Sequence, residues 1–174
     1  MDQEITTKTD QIKQLDDYIR DDEYGERLLV HPEADRRELS KNIIAAKVIL
    51  RCFPASSIII REHRLEKGIK NPEYEIDGLL ADRKGILSEK GIKWGFISAK
   101  RQGCKAIVID LDDKMRDKPF RANTVAKMIR WRSSDFELGI ISRCYVIYNG
   151  KSIVIDQSVT DNHQVIEILK KLKP

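Results

Sequence analysis

No apolar run in this chain approaches the roughly 18 to 20 residues that a membrane-spanning helix needs. The first residues, MDQEITTKTD, lack the basic start and apolar core of a signal peptide. No membrane role is expected, and the protein is read as soluble and cytoplasmic. Cysteine is scarce: Cys52, Cys104 and Cys144 are odd in number, widely spaced and set in apolar sequence. That argues against a disulfide framework and a zinc site, and all three read as buried thiols. Histidine is as sparse, with His31, His63 and His163 in unrelated contexts. Repeats and low-complexity tracts are missing too, which leaves neither a solenoid nor a linker array to consider.

What is present is charge, unevenly distributed. Of the 28 acidic and 32 basic side chains, 12 and 6 fall within residues 1–40, which leaves 16 and 26 for the rest. A basic body behind an acidic front segment suits a nucleic-acid partner, because neutralising phosphates supplies much of such binding. At 174 residues the chain is read as one domain with a hydrophobic core. Residues 1–35 are read as an acidic N-terminal extension, with a short helical pattern through Ile12, Leu15 and Ile19, and residues 36–174 as the domain proper.

Within that domain a helix runs from about Arg36 to Phe53, closed by Pro54. SSIIIRE reads as a buried strand, and EYEID and LLADRK as two extended pieces parted by Gly78. EKGIKWGFISAKRQG then reads as a helix and CKAIVIDLDD as a buried strand. A helix RANTVAKMIRWRSS, a hairpin turning at Asn149-Gly150 and a final helix NHQVIEILKKLK complete the chain. The expected class is α/β, with a mixed central sheet flanked by helices.

The chemistry concentrates in NPEYEIDGLLADRKG. On a strand, Asp82 and Lys84 share one face because side chains alternate, while Arg83 points the other way. A carboxylate can hold a divalent cation beside a lysine that polarises water or stabilises developing negative charge. Asp77, across Gly78, is expected to converge on the same spot. With Mg²⁺ or Mn²⁺ these are sufficient parts for phosphodiester hydrolysis, and a metal gives a reason for carboxylates in a basic protein. Read blandly, the same residues are a charged hairpin with solvated ion pairs, and Glu73 and Glu75 lie on a half-exposed strand. Asp110, Asp112 and Asp113 read as a polar loop. Arg130 and Arg132 flank Trp131, a combination that can clamp phosphate and stack a base, although Trp131 reads equally as core.

The pattern Asp77-x4-Asp82-Arg83-Lys84, inside the order helix-strand-strand-strand-helix-strand, resembles the PD-(D/E)XK nuclease superfamily. The wider run from about residue 36 to 156 is similar to the C-terminal tRNA nuclease domains of contact-dependent growth inhibition toxins and to related mobile-element proteins. The resemblance implies a restriction-endonuclease-like αβββαβ core and an RNase, with tRNA as a candidate substrate and an inhibitor or immunity protein as a candidate partner. It also implies a metal-site glutamate from the first helix, which Glu38 matches, and phosphate or water contacts from Lys100 and Gln102 on the second core helix. Asp82 stands where the superfamily usually has glutamate, one methylene longer. Two alternatives stay open: a metal-free RNase using His63 as general base, and a catalytically inactive RNA-binding module of a mobile element.

Overall fold

The computed structural model describes residues 17–115, 119–159 and 161–173. These form a mixed sheet whose eight strands lie side by side in chain order. They are β1 (Ile19–Asp21), β2 (Gly25–Val30), β3 (Ile58–Ile60), β4 (Tyr74–Ile76), β5 (Leu79–Gly85), β6 (Ala106–Asp110), β7 (Arg143–Tyr148) and β8 (Lys151–Asp156). The helices are α1 (Leu39–Cys52), α2 (Gly91–Arg101), α3 (Asp112–Met115), α4 (Ala122–Arg130), α5 (Ser133–Glu137) and α6 (Asn162–Lys170). β5, β6 and β7 run parallel, as do β2 and β3, while the β3–β4, β4–β5 and β7–β8 pairs are antiparallel. The α/β class and the order α1-β3-β4-β5-α2-β6 are those the sequence predicts.

Two apolar layers sandwich the sheet. On one side α1 buries Ala45, Ala46, Ile49 and Leu50 against Leu28, Ile58, Ile60, Tyr74, Ile76, Val108 and Ile147. The sheet curls far enough for α1 to touch β8 as well, where the Ser152 N–H donates to Cys52 Sγ at 3.2 Å. On the other side α2, α4 and α6 place Ile92, Phe96, Val125, Ile129, Val165 and Leu169 over Ile107, Ile109, Cys144 and Val146. Alternation along β6 sorts these layers, with Ala106, Val108 and Asp110 facing α1, and Ile107 and Ile109 facing α2.

Several local readings change. Ile12 and Leu15 lie outside the described residues, but Ile19 sits in β1, not on a helix face. From Ile19 to Val30 the acidic segment supplies two strands, and Leu28 and Val30 enter the core. The single helix expected over 121–134 breaks after Arg130, and α5 follows. Where a plain loop was expected after β6, α3 makes one turn. Cys104 and Cys144 are buried, while Cys52 is half-buried. Trp131 is exposed, so the core reading of that residue fails.

Candidate active site

The hairpin that carries the charged motif turns at Asp77-Gly78. Both residues have positive φ, 50° and 80°, as a two-residue type I′ turn requires. Ile76 therefore pairs with Leu79 and Tyr74 with Ala81. One step further out, this register sets Glu73 opposite Asp82. The Glu73 carboxylate reaches across and accepts the Arg83 backbone N–H at 2.9 Å.

Asp82 and Lys84 share the α2 side of β5, as alternation predicts. Lys84 Nζ lies 2.8 Å from Asp82 Oδ2, and Ser98 Oγ on α2 donates to the same oxygen at 3.4 Å. Asp82 is buried, with Lys84 and Ser98 part-exposed beside it. The close approach of α2 depends on Gly95. A Cβ there would meet the δ-methyls of Ile109 and Ile107 at 3.2 and 3.3 Å and Lys84 Cγ at 3.5 Å.

Burial dominates the electrostatics of this face. Burial pushes the Glu73 carboxyl up to about 7, with the Asp82 charge adding to the rise and Lys84 opposing it. Burial raises the Asp82 carboxyl as well, against the pull of Lys84. The nearby Cys104 thiol is raised to about 12, first by burial and then by Asp82, which leaves it a neutral, unreactive group. A pair of facing carboxylates is a donor set that suits a divalent cation. Mg²⁺ in particular takes one or two carboxylates and keeps waters or substrate oxygens for its remaining positions. Among the described residues no group of three His, Cys, Asp or Glu side chains is placed to hold a metal. Glu73 and Asp82 are the two carboxylates that face each other across the hairpin on this side of the sheet.

The other expected ligands lie elsewhere. Asp77 is at the exposed turn, beyond Leu79, and the three extended steps from Leu79 to Asp82 alone span about 10 Å. Its carboxylate accepts from Ser56 Oγ and the Ser57 N–H and pairs with Arg143 at 3.0 Å, which fastens the turn. Convergence of Asp77 on Asp82 is therefore ruled out by strand length. Glu38 precedes α1, on the opposite side of the sheet, and pairs with Arg83 at 2.8 Å. The sheet itself separates it from Asp82.

Arg83 anchors that opposite side. Only 2% of its side chain is exposed. Nε donates to Asn42 Oδ1 at 2.7 Å, Nη1 to Asp110 and Asp113 at 3.0 and 3.3 Å, and Nη2 to Glu38. Gly85 makes room for this arrangement, since a Cβ there would fall 2.0 Å from Asp113 Oδ2. A recess of about 370 Å³ borders the cluster, lined by Lys41, Ile44, Asp110, Asp112, Asp113 and neighbours. Its aspartates are engaged: Asp110 and Asp113 accept from Arg83, and Asp112 accepts the Asn149 and Gly150 N–H groups at 2.7 and 2.8 Å.

The expected phosphate contacts divide in the same way. Lys100 Nζ and Arg132 Nε both bind the buried Asp135 carboxylate, at 2.9 and 2.7 Å, and so tie α2 to α5. Gln102 Oε1 accepts the Asn71 N–H at 2.9 Å and holds the segment that leads into Glu73. Arg130 is exposed and lines a recess of about 300 Å³ with Lys127 and Trp131. His63 lies with Asp35, 4.0 Å from its carboxylate, in a surface depression that also contains Arg37 and Arg64.

Glu73 is half-buried, as its alternation with Tyr74 and Ile76 predicts; what sequence reasoning left unread is its place opposite Asp82. The signal was available: a two-residue turn at Asp77-Gly78 makes paired positions sum to the same value, and Glu73 follows from Asp82.

No family model matches the sequence, and no curated protein matches it. Among solved structures, the CdiA-CT/CdiI toxin and immunity complex from Burkholderia pseudomallei is similar over 72% of this chain and 91% of that chain. The TM-score is 0.46 and the sequence identity 16%. A likeness at this level carries no information about a reaction.

Proposed function

We propose that this protein is a metal-dependent phosphodiesterase that hydrolyses RNA, with Glu73, Asp82 and Lys84 as its reacting centre. The observation that carries the proposal is the placement of Glu73 opposite Asp82 across the β4–β5 hairpin, with Lys84 held at Asp82 and lining an open cleft. Glu73 and Asp82 would hold Mg²⁺ or Mn²⁺, which when bound supplies charge neutralisation at the phosphate and a more acidic water. Lys84, held at Asp82, orients water and stabilises the negative charge that develops on the phosphoryl oxygens. Ser98 fixes the Asp82 rotamer, and Gln102 fixes the backbone that presents Glu73.

Calorimetry of Mn²⁺ binding to the wild-type protein and to Asp82→Ala tests the metal assignment, and a cleavage assay tests the reaction. Total tRNA is the substrate to offer first, because the toxin domains that the sequence resembles commonly cut it. The proposal expects metal-dependent cleavage that Asp82→Ala and Lys84→Ala abolish without unfolding the chain. Cleavage that survives EDTA and is lost in His63→Ala would move the reaction to the His63 depression. Binding of RNA without turnover in any divalent metal would leave a binding module.

A further inference from the structure

A cleft of about 590 Å³ opens beside Lys84 and Ser98, the two side chains that touch Asp82. This is within the size range of small-ligand sites, roughly 300–1,000 Å³. Its lining includes Leu87, Lys90 and Trp94, and none of its lining residues is acidic. Trp94 is 66% exposed and Leu87 70%, both large apolar surfaces left in water at the rim of a polar centre. The Lys93 ammonium lies 5.8 Å from the Trp94 ring centroid, and the N-terminal end of α2, the positive end of its dipole, faces the same space. A flat apolar platform flanked by ammonium groups, one of them in contact with the proposed reacting carboxylate, matches a ligand with a planar apolar face and a phosphate.

We infer that this cleft holds an unpaired nucleotide next to the scissile phosphodiester, its base stacked on Trp94 and its phosphate drawn toward Lys84. The inference rests on the reading of Glu73, Asp82 and Lys84 as the reacting centre, and it adds a substrate class to that reading. An indole can stack on a base only where a base face is uncovered. In a duplex both faces are covered by neighbours, so the preferred substrate is a single-stranded or looped RNA segment and not a continuous helix. Leu87, across the cleft, offers an apolar contact to the same base or its neighbour.

The test is a binding measurement in EDTA, where no cleavage intervenes. A short single-stranded RNA carrying a fluorophore, and the same strand annealed to its complement, are titrated with wild-type protein, Trp94→Ala and Trp94→Phe. The expected result is tighter binding of the single strand than of the duplex. Trp94→Ala should weaken single-strand binding by roughly 5- to 100-fold, the range of one base–aromatic stack. Trp94→Phe should retain most of the affinity, and the duplex should respond little to either change. In a Trp131→Phe background Trp94 is the sole tryptophan of the chain, and its emission should be quenched as the strand binds. Unchanged affinity in Trp94→Ala, equal affinity for the duplex, or no binding of the single strand would overturn the inference. The two readings fail separately. Trp94-dependent binding without metal-dependent cleavage sinks the hydrolase and leaves the cleft as a nucleotide site. Cleavage of single strands at the wild-type rate by Trp94→Ala, with unchanged affinity, sinks the stacking site and leaves the hydrolase.

Discussion

Three consecutive charged residues on β5, Asp82, Arg83 and Lys84, serve two sides of one sheet in opposite ways. Toward α1, Arg83 is enclosed and its guanidinium hydrogen-bonds four side chains, so the charge is matched by a fixed set of partners. Toward α2, Lys84 is held at Asp82 opposite Glu73 and lines an open cleft; burial pushes both carboxyls toward the neutral form, as it does Asp110 on the other side. The first arrangement is enclosed and specifies how α1 and the β6–α3 turn dock. The second opens onto a cleft, and there the proposed reaction is placed. The two sides differ in access rather than in pairing: Arg83 is enclosed, while Lys84 stands at an open cleft.

The contrast breaks most visibly at Arg83. Arg83→Met leaves Glu38, Asp110 and Asp113 without their common cation and should destabilise the fold by about 3–5 kcal/mol in urea unfolding. Asp82→Asn, one residue away, should lower metal-dependent cleavage by about 100- to 1,000-fold while destabilising the fold less than Arg83→Met does. If the two variants exchanged phenotypes, the assignment of the faces would be reversed.

Glu73 gives a pH signature. Its carboxyl is raised in the folded state from the ordinary 4.5 to about 7. Between those values the native protein holds a proton that the unfolded chain has lost, so stability falls as pH rises from about 4.5 to 7 and levels off above. Glu73→Gln should flatten this decline, and pH-dependent urea midpoints measure it. Metal affinity in the wild type should rise through pH 7 as Glu73 ionises. The smallest effect belongs to Asp77→Asn. Asparagine tolerates the positive φ of that turn, and the partly exposed pair with Arg143 contributes no more than about 1 kcal/mol.

Much of this site was legible from periodicity. Alternation put Asp82 and Lys84 together, the Asp77-Gly78 pair signalled the turn, and the helix–strand order held through β6. Glu73 is half-buried as its alternation suggests, and its place opposite Asp82 was legible by the same turn arithmetic but was not drawn. Asp77 was misplaced because nearness in sequence was taken for nearness in space along an extended strand. The side of the sheet on which α1 packs decides the fate of Glu38, and that depends on the whole core rather than on the residues around it. Likewise, the partner of Lys100 and Arg132 is Asp135, brought to α2 by the packing of α5, a contact with no local signature for Lys100. Ile19 matched a helical period by spacing alone, and pairing with β2 overrode it.

The central claim is that the reacting carboxylates are Glu73 and Asp82, across the β4–β5 ladder from each other, and not Asp77 or Glu38. Its most direct test is single-turnover cleavage of a labelled single-stranded RNA in Mg²⁺ by Glu73→Gln, Asp77→Asn and Glu38→Gln, measured side by side. The account predicts a loss of about 100-fold or more for Glu73→Gln and near wild-type rates for the other two. Full activity in Glu73→Gln, or activity lost in Asp77→Asn with the fold intact, would contradict it.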